Sequence, residues 1–532
     1  MVTLTCYGGV GEIGGNQLFL EDGETRLFLD FGTPYSRWND YYEEYMKPRP
    51  GAGLLDVLEL GLLPPLRGLY RPDLEFPDRM WERFRSRAAF RDLSDRPIAG
   101  VLVTHAHLDH CGYVSFLRAD MPVFATAATA FTIKAMQDTG GGSDFEREVA
   151  YYAPKALKDD HLSAEQRGAR RQRPFALLDG DRLPIGAIQF WNAVLKKETD
   201  RKTKEERFFW KELEGLAAPG LAPRGIGGLP LRWFPVDHSV LGACAYAVET
   251  SAGWLGYTGD LRFHGAHHSD TEVFVQRLAS LKPAVMVCEG TNVEHGAGVT
   301  EAEVSENCLR AVRAANGRLV IADFAPRNME RLAAFLEIAK ATGRRLVALA
   351  KDAYILEHLA QVGPGAPSLE ASPEIAIYQD PKDAPGHWEQ ELRARHAGRM
   401  VDAQDVRREP GAYILCFSYW DLKNLIDIEP HGAHYIYSTS EAHSEEQKID
   451  LERLRRWIAH FQMTFVGDPD VERGFHASGH ASGDELLAMI RAVQPRILVP
   501  VHTQQPERFV EALKGTGIQV VPPAVASPIA LG

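Results

Sequence analysis

The sequence contains no run of about 18 apolar residues, the length a membrane-spanning helix needs, so no span is expected. Its first residues, MVTLTCYGGV, lack a basic segment followed by an apolar stretch, and no secretory leader is expected. No C-x-x-C pair occurs. The six cysteines (Cys6, Cys111, Cys244, Cys288, Cys308 and Cys416) are scattered, which argues against a zinc ribbon or a disulfide framework and suits reduced, mostly buried thiols in a cytoplasmic protein. There is no internal repeat or low-complexity tract. Excess basic charge is absent too: 59 Lys and Arg face 72 Asp and Glu, a net charge of −13. This disfavours indiscriminate nucleic-acid binding but leaves room for a channel lined locally with arginines. What remains is an ordinary globular composition, 45% hydrophobic and 25% charged over 532 residues. That is enough for three or four units, or for one large unit with an insertion.

The N-terminal third reads as strands. Val2–Tyr7, Gln17–Leu20 and Thr25–Asp30 alternate, with Asp22-Gly23 as a turn. Residues 34–98, rich in Pro, Tyr, Trp and Arg, are expected to be a long surface insertion. Ile98–Thr104 reads as a strand, with helical segments at Gly112–Arg118 and Phe131–Gln137. The stretch 160–230 is weakly patterned and reads as a surface loop or extended hairpin. Strands resume at Ala245–Thr250, Trp254–Tyr257 and Val285–Cys288. From about Thr300 the rhythm becomes alternating helix and strand, the signature of a parallel α/β unit: helices at Glu301–Asn316 and Asn328–Thr342, strands at Arg318–Asp323 and Arg345–Ala350. A further helix is expected at Glu446–His460. Ser482 with Glu485 forms a capping box, Leu486, Leu487, Ile490 and Val493 give the following helix one apolar face, and Arg496–Val501 is a strand running into His502.

Histidine is abundant, at 19 residues, and unevenly placed. Thr104-His105-Ala106-His107-Leu108-Asp109-His110 puts four ligand-type side chains within six residues, where a strand ends. On an extended segment His105 and His107 point to the same side, and Asp109 and His110 fall on the following turn, close enough to serve a second metal. Imidazole with carboxylate suits zinc, or manganese where oxygen ligands dominate. His238, Asp260 and His502 each stand at a strand terminus and fit the missing ligand positions. The segment 9–14 formally matches a dinucleotide fingerprint. A strand follows it, not a helix, so a tight turn fixed by Asn16 is the better reading. Arg167, Arg170, Arg171 and Arg173 read as a solvated helix face or a phosphate contact. Tyr35, Trp38, Tyr41, Tyr42 and Tyr45 suit a packed cap, a subunit contact or base stacking.

The stretches GGVGEIGGN (8–16), LDFG (29–32), THAHLDHCG (104–112), DHSVLGACAYAVETSAG (237–253), TGDLRF (258–263), CEGTN (288–292), IADFAPRNMERL (321–332), HASGHAS (476–482) and PRILVPVH (495–502) resemble metallo-β-lactamase-fold nucleases of the β-CASP group, ribonuclease J most of all. The resemblance implies an α/β fold: a metallo-β-lactamase αββα sandwich formed by residues 1–295 and 473–532, with an inserted α/β β-CASP domain at 296–472. It implies two divalent ions, zinc first and manganese as the alternative. One would be held by His105, His107, His238 and Asp260, the other by Asp109, His110, Asp260 and His502. Asp109 and Asp260 would be catalytic together with His480, facing the scissile phosphate, and Glu289, orienting His480. His476 and Ser478 are candidates for binding a neighbouring phosphate.

Two stretches depart from the family pattern, YILCFSYWDLKN (413–424) and YIYSTSEAHSEEQ (435–447), and only about 30 residues follow His502, so no separate C-terminal domain is expected. The expected activity is metal-dependent exo- or endo-cleavage of single-stranded RNA. The partner is nucleic acid, RNA before DNA, with no membrane and with a homodimer as the candidate assembly. A DNA nuclease of the same fold is the alternative, ahead of a small-molecule metallo-hydrolase, because a lid of that size suits a polymer. A non-catalytic scaffold is the alternative of another class.

Overall fold

In a computed structural model, residues 1–43, 45–76, 80–140, 148–165, 170–180, 183–199, 206–212, 220–221, 225–325, 327–363, 365–382, 385–439 and 445–532 are described. Two sheets form a sandwich. The first has eight strands in the order Gly220–Leu221, Phe175–Leu177, Val123–Ala125, Val101–Leu102, Thr25–Phe31, Gln17–Asp22, Val2–Gly8 and Pro528–Ala530. The second has seven, in the order Gly225–Ile226, Leu229–Pro235, Cys244–Thr250, Gly253–Tyr257, Val285–Glu289, Ile497–Val501 and Gln519–Val520. The period-two alternation of the sequence decides which face each side chain takes. Leu18, Leu20, Leu27 and Leu29 of the first sheet meet Tyr246, Val248, Val285, Val287, Val499 and Val501 of the second in one buried layer. Phe19 and Phe28 point the other way, into the core under helix Ala127–Thr139. Met286, Cys288 and Leu498 likewise turn outward, toward helices His268–Leu281 and Gly483–Val493. This is the αββα arrangement.

The rhythm change near residue 300 marks a third sheet of seven parallel strands, in the order Met400–Val401, Ile375–Tyr378, Arg345–Leu349, Tyr413–Cys416, Val320–Asp323, His434–Tyr437 and Thr464–Val466. Helices Glu301–Ala314, Met329–Thr342 and Ala350–Leu359 cover one face through Val304, Cys308, Leu332, Phe335 and Leu356. Leu451, Leu454 and Ile458 of helix Glu445–His460 cover the other.

Three expectations change. Residues 34–98 are not a surface insertion: Leu54, Val57, Leu58, Leu62, Leu63, Leu66, Leu69 and Leu74 are buried in the largest core. Their irregular spacing follows short helices and turns, so no period betrays their burial. Within 98–104 the ladder covers only Val101–Leu102, because the Thr104 amide donates to Asp30 Oδ1 at 2.8 Å. Arg170, Arg171 and Arg173 do not share a helix. Arg171 lies in a two-residue strand, and buried Arg173 donates to the Leu117, Arg118 and Ser115 carbonyls. Arg167 lies outside the described residues. The hairpin expected within 160–230 is present as Ala193–Thr199 paired with Glu206–Glu212. Five of the six cysteines are buried, and no described helix is long and apolar enough to cross a membrane.

Candidate metal centre

Every ligand candidate sits where a strand of the sandwich ends. His105 and His107 follow Val101–Leu102, Asp109 and His110 lie on the single turn Leu108–Cys111, and His238 follows Leu229–Pro235. Asp260 follows Gly253–Tyr257, Glu289 closes Val285–Glu289, and His502 follows Ile497–Val501. The strand ends converge at one rim. The result is three groups whose ligand atoms lie within 4.8 Å of one another: His105, His107, His238 and Asp260; Asp109, His110, Asp260 and His502; and Asp260, Glu289, His480 and His502. Asp260 belongs to all three. Its Oδ2 lies 3.0 Å from His110 Nε2, 3.6 Å from His105 Nε2 and His502 Nε2, and 3.9 Å from His238 Nε2 and His480 Nδ1.

The ring nitrogens are aimed by partners behind them, as metal-binding imidazoles require. His110 Nδ1 donates to Asp30 Oδ2 at 2.7 Å, which turns Nε2 to the cluster. His238 Nδ1 donates to the Gly479 carbonyl at 2.5 Å. His105 Nδ1 lies 3.0 Å from Thr104 Oγ1, and His502 Nδ1 lies 2.8 Å from Thr291 Oγ1. Facing inward, His107 Nδ1 is 3.0 Å from His105 Nε2 and 3.2 Å from His238 Nε2. Burial, then neighbouring imidazoles, pulls His105 well below its ordinary value; burial, then Arg327, takes His107 down to about 3; burial, then His107, pulls down His238. Three neutral rings that turn lone pairs toward one point have no common proton to share, but a cation satisfies all three. In the second group Asp260 Oδ1 is buried without a hydrogen-bond partner among the described residues. Burial disfavours ionised Asp260 and Asp109, yet the facing histidines hold both below the usual carboxylate range. This donor set fits metal ions, and it is the histidine and carboxylate chemistry of zinc.

Close backbone approach shapes the rim. A Cβ on Gly32 would lie 1.7 Å from the Asp109 carbonyl oxygen, and one on Gly14, at φ +77°, would lie 2.5 Å from Asp109 Oδ2. The 9–14 segment is therefore the tight turn that the strand pattern implies. Asn16 pins it by donating from its amide to the Asp109 carbonyl at 3.1 Å and from Nδ2 to the Tyr257 hydroxyl at 2.9 Å. His502 itself adopts φ 53°, a left-handed conformation uncommon outside glycine. Its amide donates to the Gly9 carbonyl at 2.8 Å, across the two sheets.

His480 stands beside the cluster on the loop before helix Gly483–Val493. Its Nδ1 lies 3.1 Å from both Glu289 oxygens, so Nδ1 carries a proton and donates to that carboxylate, which leaves Nε2 facing away from it. Burial pulls this imidazole down, but Glu289 and Asp260 push it up to about 9. Ser478 is tied within the loop: its Oγ accepts from the His480 amide at 3.1 Å and from Asn292 Nδ2 at 2.9 Å, and its carbonyl accepts from Arg262 and His264. That geometry makes Ser478 a brace for His480. His476 lies two residues upstream, half-buried, and is not among the residues gathered in the three groups.

Three residues of the site escape a reading of the sequence. Asp30 orients Thr104 and His110 and accepts from the Tyr257 hydroxyl at 2.6 Å. Thr291 places its hydroxyl between His480 and His502. Arg262, fully buried, pairs with Asp237 Oδ1 at 3.1 Å, Glu301 Oε1 at 2.9 Å and Glu330 Oε2 at 2.5 Å. An acid ending an apolar strand was the one available signal for Asp30.

Residues 469–523 match the family described as a Zn-dependent metallo-hydrolase RNA specificity domain. Ribonuclease J of Helicobacter pylori strain 26695 is 20% identical over 516 residues, which is 94% of this chain and 56% of that protein. Ribonuclease J of Mycolicibacterium smegmatis is 24% identical over 512 residues, 94% of this chain and 68% of its own. The chain thus spans little more than half the length of the H. pylori relatives it matches. A crystal structure of a protein of unknown function from Enterococcus faecalis V583 superposes with a TM-score of 0.67 at 19% identity, covering 99% of each chain. The chain has the metallo-β-lactamase fold with a β-CASP insertion and resembles ribonuclease J.

Proposed function

We propose that this chain is a phosphodiesterase working with two divalent ions, zinc first and manganese as the alternative, that cleaves single-stranded RNA. The observation that carries this reading is the position of Asp260, whose one carboxylate oxygen faces five histidines from four separate stretches of chain. His105, His107, His238 and Asp260 would hold one ion; Asp109, His110, Asp260 and His502 would hold the other. Bound ions of this kind supply Lewis acidity toward phosphoryl oxygens and lower the pKa of water. The chain's own residues do the rest. Asp30 and Thr291 keep His110 and His502 in register through their second nitrogens. Glu289 fixes the Nδ1 proton of His480 and turns Nε2 toward the phosphate, where it donates a proton to the leaving oxygen. The size of the insertion suits a polymer better than a small molecule, and the ribonuclease J relatives favour RNA over DNA.

The test is a panel of single-stranded RNA, single-stranded DNA and duplexes with 5′-phosphate or 5′-hydroxyl ends, run on chelator-stripped protein and again after zinc or manganese is restored. Cleavage of RNA only after reloading, with about two ions per chain by elemental analysis, is expected; cleavage by the stripped protein would overturn the reading. His480→Ala is expected to retain both ions while losing roughly 10²–10³-fold in cleavage rate. Loss of an ion in that variant would make His480 a ligand instead.

A further inference from the structure

In the inserted sheet, strand Arg345–Leu349 leads on to Ile375–Tyr378 on one side, while its neighbour Tyr413–Cys416 leads on to His434–Tyr437 on the other. Where onward connections diverge in this way, a crevice opens at the C-terminal strand ends, and ligands of parallel α/β sheets bind there. Here it opens into a cleft of about 850 Å³ that runs between the insertion and helix Ala127–Thr139 and reaches Ala106 and Leu108 of the histidine segment.

The two ends of this cleft differ in charge. At the crevice end lies Asp352, on the first turn of helix Ala350–Leu359. It is only 4% exposed, yet among the described residues no side chain or amide donates a hydrogen bond to its carboxyl, and none forms an ion pair with it. Burial pushes this carboxyl up, Lys351 draws it part of the way back and Asp421 adds to the rise, leaving it at about 7. A carboxyl that opens only to the cleft takes its hydrogen-bond donors from whatever enters there. At the other end Arg327 lines the cleft near enough to His107 to help hold that ring neutral. Its one polar contact is the Met136 sulfur at 3.7 Å, so this cation faces no carboxylate among the described residues. Phe324, Tyr437 and Trp420 line the same cleft, the last 66% exposed.

We propose that this cleft is a base-reading subsite: Arg327 takes a phosphate on the side of the metal cluster, Trp420 offers a stacking face, and Asp352 accepts the two adjacent N–H donors of guanine. The proposal rests on the RNA reading above and adds a base preference to it. The Watson–Crick edge of guanine presents N1–H beside N2–H₂, which matches the two oxygens of one carboxylate. Uracil presents a single N–H between two carbonyls, and would leave one Asp352 oxygen facing another acceptor. A bidentate pair of this kind discriminates by about 10-fold or more. Stacking is indifferent to base identity, so the preference resides in Asp352 and the general affinity in Arg327 and Trp420.

Calorimetric titration of the full chain, stripped of metal, with GMP, AMP, CMP, UMP and inorganic phosphate tests this directly. GMP is expected to bind about 10-fold or more tightly than UMP. Asp352→Asn should reduce that ratio to within about twofold or invert it, with GMP weakened and UMP strengthened, since the amide NH₂ now faces a base donor of guanine but a carbonyl of uracil. Arg327→Gln should weaken all four nucleotides alike. Circular dichroism melts report whether Asp352→Asn is folded; if it is not, Trp420→Ala, at an exposed position, should weaken all four nucleotides while leaving the GMP to UMP ratio intact. Equal binding of GMP and UMP by the wild type, or an undiminished ratio in folded Asp352→Asn, would overturn the proposal. Because binding is read without cleavage, a protein that cuts RNA but ignores the base sinks this inference alone. A protein that prefers GMP yet leaves RNA intact sinks only the proposed reaction.

Discussion

Asp260→Ala is expected to empty both ion positions at once and to slow RNA cleavage by about 10³-fold or more, because a metal's stabilisation of phosphoryl charge is worth several kcal/mol and each 1.36 kcal/mol is about a factor of ten. Among the described residues no other candidate is common to the two proposed ion positions: His105 or His238 would cost one and Asp109 the other. The metal-free fold should tolerate the change. In the absence of ions the Asp260 carboxylate is buried against histidines, and its removal deletes a desolvated charge as well as the contacts that keep His110 above its ordinary value. Thermal melts therefore separate the effects. Wild type should gain stability on zinc addition, by about 2.7 kcal/mol per site at a ligand concentration a hundredfold above Kd. The variant should gain almost none, while its metal-free Tm stays near that of metal-free wild type. Two ions bound to Asp260→Ala, or cleavage near the wild-type rate, would remove the basis for a shared carboxylate.

Arg262→Leu is expected to destabilise the protein by about 3–5 kcal/mol, the range for breaking a buried ion pair by removing one partner. Its guanidinium is the hub of four separate chain segments. Asp237 adjoins His238, Glu301 and Glu330 begin the first two helices of the insertion, and the Ser478 carbonyl, 3.3 Å from Nη1, belongs to the His480 loop. Glu301 is held in turn by Arg331, which also donates to the Ser438 and Phe475 carbonyls. Without the guanidinium, Asp237 and Glu301 are left as buried carboxylates with fewer donors. Arg262→Lys should recover part of the loss only, since one ammonium cannot reproduce the planar fork that meets three acids. Urea unfolding gives the number, and loss of less than about 1 kcal/mol in Arg262→Leu would show that the hub is not what locks the insertion to the sandwich.

The clustered histidines and carboxylates of the candidate centre were legible because of their local density. The segment 105–110 carries four donors with no packing reason to be together, and Asp260, His238 and His502 each follow an apolar strand. The Ser482 capping box was equally plain: Ser482 accepts from the Glu485 amide, and Glu485 answers at the Ser482 amide at 2.8 Å. Asp30 and Arg262 were not legible, since their meaning lies in partners far along the chain. Tyr257, which donates to Asp30, is 227 positions away, and the Ser478 carbonyl that Arg262 reaches is 216 away. The segment 34–98 misled for another reason: its leucines are buried by turns and short helices, which impose neither a 3.6- nor a 2-residue period.

His502 reaches Asp109 across 393 positions, and its backbone is clasped by Gly9 at the opposite terminus. Residues as far along as His502 must leave the ribosome before the rim can close. Until then the growing polypeptide holds at most one of the two candidate ion pockets. A fragment ending before His502 is therefore expected to bind about one ion where the longer chain binds two.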